Sequence, residues 1–349
     1  MIQQLLTHAM PAWLSHQGPD ADVVVSTRIR LGRNLAHHQF PCHASLFERS
    51  LIFSEATDAV QQTAGCKSFN SVNFVNVDKK DRLFLVEERF ATNELDNFDG
   101  DRGLVHDASH RVSVMVNEED HIRFLGIDAG LCTADLWTEL DAIDDSVGMQ
   151  VEYAFNGSNG FLTSNPVKAG SGLHASCLVH LPGLVLTHAI DAVLQGASQL
   201  GLSARGFYGE NASVIGSLFL LSKSCALGST ESAFCAGFAD VIRSIADHER
   251  KARARLLTDA RTELTDKIYR SYGILTNAEL LSVDEALTLL SALRLGIECT
   301  LFDKCTIVDL NRLMLFVFPA HCAAVTKKDL DEVSLRAARA GLAKAFFNK

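Results

Sequence analysis

The spacing of apolar residues changes near Ala233, and this change restricts the folds open to the chain. Before that point several runs alternate apolar and polar residues, among them VVVSTRIRL, RVSVMV and HASCLVHL, and a period of two predicts β-strands. Helical spacing separates these runs at residues 45–65, 131–146 and 183–200. Beyond Ala233 the spacing is helical throughout. We therefore predict a mixed α/β region followed by a helical region, with the boundary near residue 255.

The chain is predicted to have three parts, the first of them a short N-terminal segment. Residues 1–20 predict a short amphipathic helix with Ile2, Leu5 and Leu6 on its apolar side. Residues 83–90, LFLVEERF, fit either a buried strand or the start of a helix. The predicted parts are an N-terminal helical segment at 1–20, an α/β domain at 21–255 and a helical domain at 256–349.

Length and charge narrow the class of protein. The chain has 349 residues, of which 47% are hydrophobic, so it can bury a large core and is long enough for two domains. Its formal net charge of −10 disfavours general nucleic-acid binding, because neutralising phosphates needs a surplus of Lys and Arg. The nine cysteines form no CxxC pair, which fits neither a disulfide framework nor a common zinc site. We expect a soluble cytoplasmic protein without membrane spans.

Two arginines lie on one face of the first predicted strand. In VVVSTRIRL the alternation assigns Val24, Ser26, Arg28 and Arg30 to the same side. Guanidinium groups bind phosphate oxygens through paired hydrogen bonds and stay charged, so this face suits a polyphosphate. An exposed edge strand with solvated arginines fits the pattern as well, and the periodicity does not separate the two.

Three acidic residues follow the strand RVSVMV. Glu118, Glu119 and Asp120 lie in the turn before the next predicted strand, which carries Arg123. Carboxylates gathered in this way are costly unless they are solvated or paired with a cation. One interpretation is a solvated hairpin tip. The other is a carboxylate that binds or deprotonates a cationic substrate, beside an arginine for an anionic one.

A glycine-containing loop joins two apolar runs between residues 159 and 182. Gly170 and Gly172 permit backbone amides to approach a ligand closely, and His174 opens the polar face of the following strand. A similar arrangement of strand, loop and strand comes next, with Arg205 at the entrance to the loop. An anion-binding loop and an ordinary hairpin both fit the first of these stretches.

The motifs of this chain are not those of the common nucleotide-binding enzymes. It has no GxxxxGK[ST] phosphate loop and none of the HRD, DFG, HExxH or GxSxG motifs. Its segments instead resemble the phosphagen (ATP:guanido) kinase family, most of all the protein-arginine-kinase branch, from about residue 20 to the C-terminus. In order they are STRIRLGRN, VNEEDHIRF, FLTSNPVKAGSGLHAS, HLPGL, RGFYGE and KIYRSYGILTNAELLSVDEALTLLSALRLGI.

The resemblance implies a fold, a reaction and partners. The fold is an α/β domain with an antiparallel sheet flanked by helices, followed by a helical domain used for dimerisation and protein recognition. The reaction is transfer of the ATP γ-phosphoryl group to arginine side chains of proteins, with Mg²⁺ held by the nucleotide and not by protein ligands. The implied partners are a second copy of the chain, an adaptor of the McsA kind and the Clp protease.

Site residues follow from the same resemblance. Glu119 matches the carboxylate that binds the substrate guanidinium. Arginines that match the family's phosphate-binding positions lie on separate predicted strands. The residues expected at the nucleotide are Ser26, Arg28, Arg30, Arg123, Arg205 and Glu210, with His174 as a degenerate member.

Three departures from the family pattern lie at positions where the family has catalytic or phosphate-binding residues. Asn165 stands where the family has a cysteine that contacts the guanidinium, and His174 stands where it has a phosphate-binding arginine. Ser213 replaces a second catalytic carboxylate. A neutral amide, a mostly uncharged imidazole and a hydroxyl supply less charge or basicity than the groups they replace. Two functions stay open: an arginine kinase of reduced efficiency, and an inactive pseudokinase that binds nucleotide or protein as a dimer.

The helical region contains a further departure from the family pattern. The family's phosphoarginine-binding RDxxRA pattern becomes LRAARA, in which Arg339 and Ala340 are kept. Leu335 and Arg336 replace the Arg-Asp pair. We expect allosteric sensing of phosphoarginine to be weakened.

Overall fold

The computed structural model describes five ranges of the chain, which are 10–63, 65–97, 99–207, 214–326 and 331–348. Within them an antiparallel sheet is flanked by helices, and a helical region follows. The α/β fold class predicted from the sequence is confirmed. The predictions for Ile2, Leu5, Leu6, Glu210 and Ser213 concern residues outside the described ranges.

An eight-stranded sheet forms the centre of the fold. The strands of the protein are β1 Val24–Arg33, β2 Asn70–Asn73, β3 Gly103–His106, β4 Val112–Val116, β5 Ile122–Ala129, β6 Phe155–Asn156, β7 Gly160–Phe161, β8 Leu173–His180, β9 Ser203–Gly206 and β10 Leu218–Ser224. The order in the sheet is β2-β3-β4-β5-β1-β8-β10-β9, every neighbouring pair is antiparallel, and β6 and β7 form a separate hairpin. The longest strand, β1, therefore lies inside the sheet and not at an edge.

Helices cover both faces of the sheet. They are α1 Leu46–Gln62, α2 Lys79–Glu87, α3 Asn93–Asp96, α4 Thr133–Gly148, α5 Pro182–Leu186, α6 Ile190–Gln199, α7 Glu231–Asp259, α8 Arg261–Asn277, α9 Val283–Glu298, α10 Ile307–Phe316, α11 Pro319–Thr326 and α12 Glu332–Phe347. Short 3₁₀ helices occur at Ala12–Leu14, Phe74–Asn76 and Pro166–Lys168. No single helix in the described ranges has both the length and the apolar character to cross a membrane. The pair α10 and α11 meets both criteria together, but a bend of 91° separates its two helices.

One face of the sheet packs against helices of the α/β region. Ile29 and Leu31 of β1 join Ile52 of α1, Leu136 of α4 and Ile242 of α7 in one buried core. Burying such a side chain contributes roughly 1.5–3 kcal/mol. The alternation of β1 thus supplies an apolar side that the flanking helices cover.

The opposite face packs against the helical region. Leu125 of β5 and Leu178 of β8 join Leu287 and Leu293 of α9 in a second buried core. This is the face to which the alternation of β1 assigns Arg28. The C-terminal helices therefore cover part of the face, and a cleft occupies another part.

A bulge changes the predicted alternation at the start of β1. The pairing of β1 with β8 shifts register between Val24 and Ser26. Val24 consequently belongs to the core of Ile29 and Leu31, while Val25 belongs to the opposite core. The prediction that Val24 shares a face with Arg28 is wrong, because a bulge inserts one residue and resets the alternation of side chains.

The undecided segment LFLVEERF is mostly helical. α2 continues to Glu87, with Phe84 and Leu85 buried. Arg89 follows with a φ of 66°. This left-handed conformation costs a residue with a side chain roughly 1–2 kcal/mol. The strain lies at a residue that lines the cleft described below.

Two predicted helical stretches differ from the observed helices. The predicted helix at 183–200 is divided into α5 and α6, with His188 between them at a φ of 57°. In contrast, α7 runs without a break to Asp259, past the predicted boundary at residue 255. The division into domains stays a prediction.

Candidate active site

A cleft of about 520 Å³ opens on the sheet face that carries Arg28. Side chains of β1, β5, β8, β9 and β10 line it, together with the chain that follows α2. Seven residues that the sequence analysis assigned to the site lie around it. They are Arg28, Arg30, Glu119, Arg123, Asn165, His174 and Arg205.

Strand pairing sets the spacing of these side chains. β1 lies between β5 and β8, so that Arg30 is opposite His174, and Arg123 is opposite Gly32. On the far side of β8, Ser224 of β10 is also opposite His174. Side chains directly opposite each other in antiparallel strands have Cβ atoms about 4.5–5.5 Å apart. The charged groups are therefore held on neighbouring strands of a rigid sheet.

Arg28 and Arg30 carry positive charge that Glu94 and Glu118 offset only in part, without a direct bond to either arginine among the described residues. Neither side chain has a hydrogen bond or ion pair in the described part of the chain, and both Nε atoms are buried without a partner. Burial, Arg89 and Arg123 lower the pKa of Arg28 to about 9, so it stays charged at neutral pH. Burial, Arg28 and Arg123 likewise lower the pKa of Arg30. An anionic ligand would relieve this excess charge.

Arg123 is fixed by the three acidic residues of the β4–β5 turn. Its Nη1 lies 2.5 Å from Glu118 Oε2, and its Nη2 lies 2.6 Å from Glu119 Oε2 and 3.7 Å from Asp120 Oδ2. Burial would lower the pKa of Arg123, but these carboxylates outweigh it and raise the pKa. Glu118 and Asp120 are almost fully buried. The interpretation of this turn as a solvated hairpin tip is therefore wrong.

Glu119 is the partly exposed carboxylate of this turn. Besides Arg123, it accepts a hydrogen bond of 2.5 Å from Lys168 Nζ. Burial would raise the pKa of Glu119, but the hydrogen bonds and charges of Lys168 and Arg123 lower it. Glu119 is consequently ionised at neutral pH and has the charge needed to bind a guanidinium.

His174 is a neutral residue among these cations. Its Nδ1 lies 3.0 Å from Ser224 Oγ. Burial, Arg30 and Arg28 lower its pKa well below the usual value, because a further positive charge there would be repelled. The position therefore supplies a hydrogen-bonding group without a permanent charge.

The remaining predicted residues have different surroundings. The backbone carbonyl of Asn165 accepts hydrogen bonds from Thr163 Oγ1 at 2.8 Å and from the amide of Lys168 at 2.9 Å. Ser26 is fully buried, and its Oγ accepts a hydrogen bond of 2.6 Å from Arg89 Nη1. Ser26 thus lies behind the cleft and contacts an arginine that lines it.

Several charged residues of the cleft were missed by the sequence analysis. Arg89 was missed because the secondary structure of LFLVEERF was undecided; its guanidinium lies 5.2 Å from the Trp13 ring and 5.6 Å from the Phe207 ring. Lys168 was visible only as a basic residue in a loop of mostly small and polar residues. Glu94 and Lys223 also line the cleft. Among the described residues, no group of three or more His, Cys, Asp or Glu side chains is arranged to hold a metal ion.

Two family models match the chain. The model described as ATP:guanido phosphotransferase, C-terminal catalytic domain, matches residues 52–252. The model described as Protein-arginine kinase McsB C-terminal domain matches residues 261–349. The first match covers more than half of the chain, and the two follow each other along it.

Similar proteins cover nearly the whole length. The protein-arginine kinase of Bacillus subtilis is 34% identical over 320 residues, which are 91% of this chain and 88% of that protein. The protein-arginine kinase of Halothermothrix orenii is 32% identical over 347 residues, which are 99% of each chain.

Solved structures of guanidino kinases have a similar fold. Lombricine kinase aligns with a TM-score of 0.59 and 22% identity, over 71% of this chain and 72% of that one. The duplicated taurocyamine kinase of Schistosoma mansoni aligns with a TM-score of 0.61 and 21% identity, over 78% of this chain and 42% of that one. At such identity these alignments concern the fold alone. The family models and the curated relatives show that the chain belongs to the ATP:guanido phosphotransferase family, in its protein-arginine-kinase branch.

Proposed function

We propose that the protein binds ATP with Mg²⁺ in the cleft and transfers the γ-phosphoryl group to arginine side chains of proteins. The observation that carries this proposal is that Arg28 and Arg30, which have no hydrogen-bond or ion-pair partner among the described residues, share a cleft with an ionised carboxylate, Glu119. The arginines suit phosphate oxygens, and the carboxylate suits a guanidinium. Family membership supports the same reaction.

The proposed nucleotide site combines several cations. The unpartnered Nε atoms of Arg28 and Arg30 fit an anionic ligand, and Arg205 lines the same cleft. We assign Mg²⁺ to the phosphate oxygens of the nucleotide, where it neutralises charge when bound. Ser26 supports this site through its hydrogen bond with Arg89. Glu210 keeps its place among the proposed nucleotide residues on resemblance alone.

In the proposed reaction, a bond forms between a guanidinium nitrogen and the γ-phosphorus. The bond from that phosphorus to the bridging oxygen of the departing ADP breaks, and the guanidinium releases one proton to solvent water. Glu119 holds the guanidinium in line, while Arg28 and Arg30 stabilise the phosphate charge. The lowered pKa of Glu119 makes it a weak base, which favours a role in binding over a role in proton removal.

We further propose that this transfer is slow. Asn165 and His174 are neutral groups in the cleft, and Ser213 replaces an expected carboxylate. Loss of one acid–base or electrostatic group commonly costs about two to three powers of ten in rate. The three losses do not simply multiply, because groups that act as a unit are not additive.

A pseudokinase is the second candidate function. The observation that favours it is the state of the acceptor position, where Glu119 is already bound to Lys168 and Arg123. The unbalanced charge of Arg28 and Arg30 would then serve to bind nucleotide without transfer. A purified pseudokinase would bind Mg-ATP and form no phosphoarginine.

A product assay separates the two candidates. Purified protein is incubated with Mg-ATP and an arginine-rich protein, and acid-labile phosphoarginine is measured by mass spectrometry. The kinase proposal predicts a slow signal that Glu119→Gln reduces by about a hundredfold or more. A signal that Glu119→Gln leaves unchanged would point to a contaminating kinase and would refute the proposed role of this carboxylate.

A restored variant tests the reason for the slow rate. Asn165→Cys, His174→Arg and Ser213→Glu together return the three groups found in the family pattern. We expect a rate at least a hundredfold above that of the native chain. No product from the native chain with strong product from this variant would establish the pseudokinase. No gain in the variant would show that other residues limit the reaction.

The assembly and location are further parts of the proposal. We propose a cytoplasmic homodimer in which residues 256–349 serve dimerisation and protein recognition, with an adaptor of the McsA kind and the Clp protease as partners. In the helical region, Arg339 is buried and donates to the carbonyls of Val317 and Leu281 at 2.5 and 2.7 Å. These interior bonds support the proposal that sensing of phosphoarginine by α12 is weakened. Light scattering coupled to size-exclusion chromatography tests the dimer.

A further inference from the structure

Lys168 lies on the carboxylate that the proposed function assigns to the substrate. Its Nζ is 2.5 Å from Glu119 Oε2, the same oxygen that lies 2.6 Å from Arg123 Nη2. Two cations therefore share one carboxylate oxygen. A guanidinium binds a carboxylate best through two parallel hydrogen bonds, one to each oxygen. An arginine substrate gains this geometry at Glu119 only after one of the two cations leaves.

The two cations differ in how firmly they are held. The side chain of Arg123 is 8% exposed and has further carboxylate partners in Glu118 and Asp120. The side chain of Lys168 is 36% exposed, and Glu119 is its only ion-pair partner within the described ranges. Partly exposed lysine–carboxylate pairs contribute little to stability. Lys168 is consequently the cation that a ligand displaces.

A bound phosphate would lie close to the same ammonium group. Lys168, Arg30, Arg123 and His174 together line a small hollow of about 20 Å³ beside the main cleft, and the carboxylate of Asp120, paired with Arg123, lines it as well. The charge of Lys168 is also among the causes that lower the pKa of His174, which agrees with this proximity. A lysine ammonium is a compact charge on a flexible stem, so it can turn from a carboxylate to a nearby phosphate.

We propose that Lys168 masks Glu119 in the nucleotide-free protein, and that the terminal phosphate of a bound nucleoside triphosphate draws the ammonium group away. Nucleotide binding then exposes the carboxylate to a guanidinium ligand. The inference rests on the proposed function for the identity of the two ligands, but it concerns the order of binding and not the transfer. Lys168 acts as a positioning residue, and each ligand raises the affinity for the other by the same factor.

Binding measurements test this coupling without any reaction. The probes are N-acetyl-arginine amide as the guanidinium ligand and Mg²⁺ with the non-hydrolysable β,γ-imido analogue of ATP. In isothermal titration calorimetry we expect the analogue to raise the affinity for the guanidinium about threefold to fivefold, the range set by a partly exposed ion pair. Mg-ADP has a smaller effect because it lacks the terminal phosphate.

Three variants identify the residue responsible. Lys168→Gln removes the charge and keeps the length, so it binds the guanidinium about threefold to fivefold more tightly without nucleotide and gains nothing further with it. Lys168→Arg keeps the charge and retains the coupling. Lys223→Gln is the matched control: Lys223 lines the same cleft, but its Nζ donates to the carbonyl of Leu200 at 2.8 Å. This control retains the coupling.

Two results would overturn the inference. One is equal coupling in the native protein and in Lys168→Gln, and the other is a Lys168→Gln protein that binds no guanidinium with the analogue present. The binding test of the masking role and the product assay of the proposed function can fail independently of each other. Coupling without phosphoarginine product refutes the kinase alone, whereas product without coupling refutes the masking role of Lys168 alone.

Discussion

Replacing Arg28 by methionine should stabilise the protein and weaken ATP binding at the same time. Arg28 is half-buried in the cleft beside other cations, and among the described residues it has no hydrogen-bonded or ion-paired carboxylate. Methionine keeps an unbranched apolar stem and removes the charge. The folded protein without nucleotide therefore loses an unfavourable charge, and the nucleotide loses a favourable one. Such opposed effects are common where a site needs strained or unbalanced groups.

The size of each effect follows from the site. The lowering of the pKa of Arg28 from 12.5 to about 9 corresponds to about 5 kcal/mol. Part of the side chain is exposed, so solvent and relaxation reduce this figure, and we expect a gain of about 1–2 kcal/mol in unfolding free energy. For a chain of 349 residues this gain corresponds to a rise in Tm of about 1–3 °C. A lost charge-assisted hydrogen bond should weaken Mg-ATP binding about ten- to a hundredfold.

The assay pairs two measurements on each protein. Thermal unfolding without nucleotide gives the Tm, and calorimetric titration gives the affinity for Mg-ATP. Arg111→Met is the matched control, because Arg111 lies 2.7 Å from Asp128 and 2.8 Å from Glu139 and does not line the cleft. It should lose up to about 1 kcal/mol of stability and bind Mg-ATP normally. A lower Tm for nucleotide-free Arg28→Met, or an unchanged Mg-ATP affinity, would refute the reasoning.

Three further predictions concern stability. Glu118→Ala removes the nearest buried carboxylate from Arg123, while Glu119 and Asp120 stay, and should cost about 3 kcal/mol in urea unfolding; a loss under 1 kcal/mol would contradict a tight pair. Leu178→Ala should cost about 2–5 kcal/mol at the contact between sheet and α9, and an unchanged denaturation midpoint would contradict that packing. Burial lowers the pKa of His121 to about 4, so below pH 6.5 the unfolded chain binds more protons than the folded one. The free energy of unfolding should therefore fall by up to about 3 kcal/mol between pH 6.5 and pH 4. His121→Gln should reduce this dependence of stability on pH, as measured by urea unfolding.

Local periodicity predicted the elements that carry the site. The alternation in STRIR and in HASCLVHL identified β1 and β8, and it assigned Arg28 and Arg30 to one strand face. It failed at Val24, because a bulge depends on pairing with β8 and leaves no mark on the alternation of a single strand. It also gave no order for the strands, since β1 has as neighbours β5 and β8, which lie far from it in the chain.

The charged residues of the site also show the difference between what the sequence predicted and what the structure decided. The sequence identified Glu119 and its neighbouring acids but left two interpretations equally open, a solvated hairpin tip and a carboxylate that binds a cationic substrate. Burial decided between them, because Glu118 is enclosed and bound to Arg123. Lys168 could not be connected with Glu119 from the sequence, since 49 residues separate them.

The sequence by itself determined the residue types, the shared strand face of Arg28 and Arg30, and the family of this protein, because these depend on local order along the chain. The tertiary structure alone decided which charges are balanced. Arg123 has three carboxylates nearby, Glu119 holds Lys168, and Arg28 and Arg30 have no partner in the described part of the chain. The physical reason is that electrostatic energy depends on distance and burial in space, and neither can be read from separation in sequence.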